Sequence, residues 1–188
     1  MKKKILFVAA VLVCIAIAAA GTLAYFTSST TAHNVITSGK IDIELVEKTI
    51  EDGVEVDFPE DGISGVMPGA SVDKIVTVKN TGTSDAWIRV ALEATIVSAS
   101  GEPLSVDVMT YGIESGWVLG NDGYYYYTDS VVPGASTTTL IEEVHFAPSM
   151  GNEYQNCTAN LVVTAQAVQV THNGETVMEA VGWPESAE

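Results

Sequence analysis

The sequence predicts an all-β antiparallel sandwich preceded by a helical export signal, and three observations carry that reading. After residue 24 the chain runs in short segments rich in Val, Ile and Thr, separated by clusters of Gly, Pro, Asn and Asp. Several of these segments alternate apolar and polar residues, the period of a half-buried strand, and none carries a long amphipathic helical stripe. Ahead of them, Lys2, Lys3 and Lys4 precede an uncharged apolar run from Ile5 to Ala20.

A cationic start, an apolar stretch and a small-residue exit make a secretory signal peptide. The run from Ile5 to Ala20 is shorter than the about 20 residues a membrane-spanning helix needs, so cleavage is favoured over retention as an anchor. Ala18-Ala19-Ala20 and Thr22-Leu23-Ala24 both offer small-x-small sites. Cys14 follows Val13, where a lipoprotein signal would carry a small residue, so that reading is weak. The expected organisation is a signal peptide (1–24), an N-terminal extension (25–39), a sandwich domain (40–183) and a short tail (184–188). The expected location is outside the cell, with membrane contact only through an uncleaved signal segment.

Charge narrows the partners. The whole chain has 8 Lys+Arg against 24 Asp+Glu, net −16, and loss of residues 1–24 removes three lysines and no carboxylate, leaving −19. Such a field disfavours nucleic acid and anionic membranes and keeps the protein soluble. Of the two cysteines only Cys157 survives processing, which excludes an intrachain disulfide; its place beside a strand-like run suits a small buried residue. Asn156-Cys157-Thr158 matches a glycosylation sequon, discounted because the export signal is bacterial in style.

The elements follow in order. Lys40 to Leu45 alternates with the odd positions apolar, and Val72 to Val78 is expected as a second strand. Ala86 to Ile96 gives the clearest strand. Its even positions are all apolar, and Arg89, Glu93 and Thr95 are expected on the opposite, wet face. Gly116 to Leu119 and Tyr124 to Tyr127 flank Gly120-Asn121-Asp122-Gly123, residues that tolerate positive φ and predict a hairpin. Thr137 to Phe146 and Asn160 to Thr171 read as two further long strands, while Glu175 to Val181 fits a short helix or a strand. Pro68-Gly69-Ala70-Ser71 and Pro133-Gly134-Ala135-Ser136 suit type II turns, each opening a Thr/Val-rich stretch. The recurrence fits two related halves, and it fits one common turn used twice better.

Catalytic arrangements are sparse. His33, His145 and His172 are far apart in sequence and form no His-Glu-x-x-His, so zinc held by His145, His172 and Glu142 or Glu143 is a weak reading beside ordinary surface histidines. The carboxylate-rich stretch Glu51 to Gly62 matches no calcium-loop spacing and reads as a solvated loop or poorly paired hairpin rather than a calcium site. There is no Gly-x-Ser-x-Gly elbow and no phosphate-cradling glycine loop. No cofactor is expected, and an enzyme is the minority reading. Trp87, Trp117 and Tyr124 to Tyr127 could stack on sugars, but alternate tyrosines of a strand point to opposite faces, so hairpin packing is the preferred role.

Gly21-Thr22-Leu23-Ala24-Tyr25-Phe26-Thr27, followed by Ile36-Thr37-Ser38-Gly39-Lys40-Ile41-Asp42-Ile43, resembles the N-terminal signature of the TasA/camelysin family of exported Gram-positive proteins. The likeness continues through Met67-Pro68-Gly69-Ala70-Ser71, the strand Ile75 to Asn80, and Thr81 to Ala86. It implies a jelly-roll-like sandwich and cleavage by a SipW-type signal peptidase after Ala24, leaving Tyr25 first. For the TasA branch it implies fibres of the biofilm matrix in which an N-terminal segment completes the sheet of the next subunit. For the camelysin branch it implies metalloprotease activity, although no residue of this chain carries that over. Tyr25 to Ser38 is uncharged apart from His33, rich in Ser and Thr, and too polar to form a core, which suits a strand added to an exposed sheet edge. Tyr25, Phe26, Val35 and Ile36 are its candidate anchors. The expected role is therefore an exported matrix protein, a fibre subunit or accessory that assembles with itself or with related subunits. A secreted metalloendopeptidase and a carbohydrate-binding module are the alternatives.

Overall fold

Backbone pairing between distant strands, rather than any helix, organises the chain. A computed structural model describes residues 40–59 and 67–184, all within one compact unit, Gly39–Glu188. The expected export signal, the segment Tyr25 to Ser38, part of the acidic stretch and the last four residues lie outside the described residues.

Among the described residues eleven strands run in order: β1 (Ile43–Glu51), β2 (Val54–Asp57), β3 (Ser71–Asp73), β4 (Ile75–Asn80), β5 (Ala86–Val97), β6 (Pro103–Leu104), β7 (Met109–Tyr111), β8 (Trp117–Leu119), β9 (Tyr125–Tyr127), β10 (Glu143–Phe146) and β11 (Thr158–Gln169). All pairings are antiparallel, in the orders β2-β1-β4, β3-β10-β7 and β11-β5-β9-β8, with β6 also on β5. The first two sheets join end to end along one line. The expected strand from Val72 to Val78 is instead β3 and β4, broken at Lys74, whose N–H reaches Glu142 O. The expected strand from Thr137 to Phe146 is likewise strand only in β10. Its first half follows β4 through Thr137 N–H to Val78 O, Leu140 N–H to Val76 O and Val76 N–H to Ile141 O. At the break Lys74 is buried, with its Nζ 2.7 Å from Glu47 Oε1 and 4.0 Å from the centre of the Phe58 ring.

The main core lies between this joined layer and the five-stranded sheet. Val76 and Val78 from β4 meet Ala86, Ile88 and Val90 from β5, with Trp117, Tyr127, Leu140 and Ile141 filling the space. A second cluster, Ile96, Met109, Val144 and Phe146, continues it under β10 and β7. The even residues of β5 point inward as the alternation predicts. Both Pro-Gly turns close as type II turns, with Ala70 N–H to Met67 O and Ala135 N–H to Val132 O, and φ of 80° and 82° at Gly69 and Gly134. The expected hairpin forms, with Leu119 opposite Tyr125 and Gly123 at φ 84°.

The outer face of the five-stranded sheet is not wet along its whole length. Trp87 and Arg89 are buried under a third cluster that includes Tyr126, Val168, Val177 and Ala180. The chain from Thr171 to Trp183 covers them. Of the short helix or strand expected over Glu175 to Val181, the structure has only a single 3-10 turn at Val177–Glu179 within a loop. Asn173 closes it, its Nδ2 donating to Val181 O and its Oδ1 accepting from Val181 N–H.

Candidate functional site

Two regions carry chemistry beyond packing: the buried Arg89 and the unpaired sheet edges. Arg89 lies on β5 between β9 and β11. Its Nε and Nη2 donate to Gln166 Oε1 at 2.9 and 2.8 Å, and its Nη1 donates to Asp122 Oδ2 at 3.0 Å and to Tyr126 Oη at 3.1 Å. The guanidinium stacks 3.9 Å from the Tyr124 ring centre and 4.6 Å from that of Trp183. Tyr126 Oη in turn donates to Asp122 Oδ2 at 2.7 Å. Partial burial pushes the Asp122 carboxyl up, but the bonds from Tyr126 and the Tyr124 N–H, with Arg89 alongside, hold it below the ordinary aspartate range. Burial and then the Asp122 carboxylate push the Tyr126 phenol up. This is a satisfied buried cation that fixes the C-terminal loop to the sheet.

The aromatic residues proposed as a sugar platform do not share a surface. Trp117 and Tyr127 are in the main core, their ring centres 5.1 Å apart, whereas Trp87 and Tyr126 are in the outer cluster. Each face of the hairpin is occupied by packing, as strand alternation requires.

The histidines are also separated in role. His145 on β10 pairs its Nδ1 with Ser71 Oγ at 2.6 Å and its Nε2 with Glu143 Oε1 at 2.9 Å. His172 takes φ 59° in the turn after β11, and His33 lies outside the described residues. Among the described residues no three His, Cys, Asp or Glu side chains gather as a metal-binding set. The acidic stretch is, over Glu51 to Asp57, a paired hairpin, with Val54 opposite Glu51 and Asp57 opposite Lys48. Cys157 is a free thiol, half-buried against the second cluster.

Sheet edges differ in what guards them. The outer side of β4 is closed by the chain from Gly134 to Glu142. The edge strand β2 has four residues, two of them acidic, and β8 has three. The other long edge is β11, twelve residues that pair with β5 alone among the described residues. The flank of the main core beside β11 is incompletely covered, since Ile41, Ile43 and Leu45 from the β1 side and Leu161, Val163, Ala165 and Ala167 from β11 remain half-buried.

A family model described as camelysin metallo-endopeptidase matches residues 1–102, more than half of the chain. The chain belongs to the camelysin family. No curated protein matches it. The match takes in residues 1–39 and β1 to β5, and it ends before β6. Of the three histidines, this camelysin-family chain carries only His33 inside the matched residues. The two histidines of the described fold engage a serine and a glutamate, or occupy a turn, and do not fit a zinc-protease ligand set. Ala24, Tyr25, Phe26, Val35 and Ile36, the residues expected to mark cleavage and assembly, lie outside the described residues. Sequence reasoning missed the burial of Arg89. The signal was present in Trp87 and Arg89, which share a strand face, and in the aromatic residues at Tyr124, Tyr126 and Trp183, but nothing local pairs them.

Proposed function

We propose that this protein is an exported structural component of a bacterial extracellular matrix, a fibre subunit or accessory that assembles by β-strand addition. In this reading a signal peptidase cleaves after Ala24, and Tyr25 to Ser38 acts as the donor strand with Tyr25, Phe26, Val35 and Ile36 as anchors. The observation that carries it is a juxtaposition. A polar, β-branched segment with no Asp, Glu, Lys or Arg stands directly ahead of an all-β domain whose sheets keep edges unpaired among the described residues. Main-chain hydrogen bonds to such an edge supply affinity, and alternate side chains supply register. The start of the domain suits this use. Lys40 is tied to the β4–β5 turn by its N–H to Thr83 Oγ1 and by Thr83 N–H to its carbonyl, so the chain upstream departs from a fixed point at that end of the sandwich.

The test compares residues 25–188 with a chain beginning at Lys40, by light scattering and negative-stain microscopy. Fibres are expected from the longer chain and none from the shorter. Monomers from both, at high concentration and at a pH low enough to relieve carboxylate repulsion, would overturn the reading. The family description favours metalloendopeptidase as the second reading. That reading requires chelator-sensitive release of peptides from casein by the purified protein, and the proposal expects none.

A further inference from the structure

Outside the Arg89 site and the sheet edges, strands β3 and β10 bring together three side chains that strand addition does not use. Ser71 lies directly opposite His145 across the ladder, and Glu143 stands two residues from His145 on the same strand face. The intervening Val72 and Val144 turn the other way, into the second core cluster. Ser71 Oγ is 2.6 Å from His145 Nδ1, and His145 Nε2 is 2.9 Å from Glu143 Oε1. A hydroxyl, an imidazole and a carboxylate thus stand in line on an open face, with the His145 and Glu143 side chains 52% and 46% exposed. A carboxylate only accepts, so it favours the imidazole hydrogen on Nε2 and leaves the Nδ1 lone pair facing the Ser71 hydroxyl.

The ladder also supplies a donor. Phe146 N–H donates to Ala70 O and Lys74 N–H donates to Glu142 O, so the bonded pairs fall at even positions and Ser71 with His145 is an open pair. Open pairs bring side chains closest. They also turn the Ser71 N–H away from β10, to the side where β3 has no paired strand among the described residues. A backbone N–H beside the nucleophile is suited to receive a developing oxyanion.

We propose that Ser71, His145 and Glu143 form a hydrolytic centre for carboxylic esters, with Ser71 as nucleophile, His145 as general base and Glu143 as positioning residue. Ser71 Oγ bonds to the ester carbonyl carbon as its proton passes to His145 Nδ1, and the carbonyl electron pair moves onto oxygen toward the Ser71 N–H. Collapse breaks the bond to the alcohol oxygen, which leaves with the proton held on Nδ1. Water then attacks the acyl-serine and gives its proton to Nδ1. The acid departs as Ser71 Oγ takes that proton back. Glu143 stabilises the imidazolium formed in each half. Esters fit this site and amides do not, because a solvent-exposed centre with one outward N–H stabilises an oxyanion weakly and needs a good leaving group. Glu143 and His145 lie beyond the residues matched by the family model, so the centre belongs to this chain's own second half. It is independent of strand addition.

The test is hydrolysis of p-nitrophenyl acetate by the purified protein in the presence of a chelator, beside labelling with a fluorophosphonate and mass spectrometry of the peptide carrying Ser71. A phosphonate on Ser71 that disappears in His145→Ala is expected. So is a fall in kcat/KM of about tenfold or more in Ser71→Ala and in His145→Ala. Glu143→Gln keeps an acceptor for the Nε2 hydrogen but removes the charge, and should lower kcat with KM unchanged. All three side chains lie on the outer face, so the variants should keep the circular dichroism spectrum of the parent. Hydrolysis unchanged in Ser71→Ala would come from imidazole alone and would overturn the proposal. Absence of a phosphonate on Ser71 would overturn it as well, and so would activity that the chelator abolishes, which would favour the metalloendopeptidase reading instead.

Discussion

At the residue scale, Arg89 shows how a charge is kept inside a small acidic domain. Its guanidinium group makes four hydrogen bonds and two close ring contacts, so each nitrogen is engaged. Arg89→Ala leaves Gln166, Asp122 and Tyr126 without their donor and should lower the unfolding free energy by about 2–4 kcal/mol, measured by chemical denaturation. Arg89→Lys should recover only part of this, because an ammonium cannot reproduce the fork and the stack together. The same site sets a pH dependence. The lowered Asp122 carboxyl contributes stability that is present above its unfolded value, about 4, and is lost as pH falls through the folded one. The raised phenols of Tyr126 and Tyr111 contribute stability that is present below about 10 and is lost as pH rises through their folded values. Thermal melting against pH should therefore fall on both flanks. Tyr126→Phe removes the donor to Asp122 and should move the acid limb to higher pH.

At the element scale, two short connections hold long strands in place. Gly82 follows β4 in the turn that receives the start of the domain. A Cβ there would run into the Lys40 carbonyl oxygen and lie 2.8 Å from Asp42 N, both backbone atoms that cannot swing away. Thr81 N–H and Gly82 N–H both donate to Asp42 O, so Gly82→Ala should free residues 40–42 from that turn. Faster exchange at Thr81, Gly82 and Thr83, with β5 and β11 unchanged, is the expected readout. The C-terminal loop depends likewise on Asn173, whose side chain pairs with both backbone groups of Val181 while its carbonyl accepts from Trp87 Nε1 at 3.1 Å. Asn173→Ala should cost about 1–3 kcal/mol and expose Trp87, read as a red shift and quenching of tryptophan fluorescence. The loop is the reason β5 is buried on both faces over its first half.

At the scale of the whole molecule, self-repulsion and strand pairing oppose each other. The net charge of −16 holds copies apart in dilute buffer, and the strand addition proposed above would have to act against it. Assembly should therefore be faster at about 0.5 M salt, where screening shortens the reach of the carboxylates, than at about 0.02 M. It should also quicken as pH falls toward the sequence pI of about 4.3. Light-scattering kinetics across a salt series would check this, and a rate that fell with salt would point to an assembly driven by charge pairing instead. The acidic β1–β2 hairpin, with Glu51, Asp52, Glu55 and Asp57 exposed, contributes to the repulsion and makes β2 a poor acceptor.

The sequence by itself determined what depends on local order. The period of two in β5, the positive-φ residues of the β8–β9 hairpin and the two Pro-Gly turns are set by side chains a few positions apart, and all of them stand in the structure, whereas the strand expected over Lys40 to Leu45 begins only at Ile43 and runs on to Glu51. The N-terminal signature was legible for the same reason, and the family match bears it out over residues 1–102. Tertiary structure decided what depends on residues distant in the chain. Lys74 is buried because Glu47 and Phe58 receive it, and Arg89 is shielded on the outer face because Gln166 on the neighbouring strand binds it and Trp183 of the C-terminal loop covers it. The twelve residues of β11 read as a strand from their composition, but not as an edge. Which strand has a neighbour on one side only is settled by the order of the sheet, a property of the whole chain that no local pattern encodes.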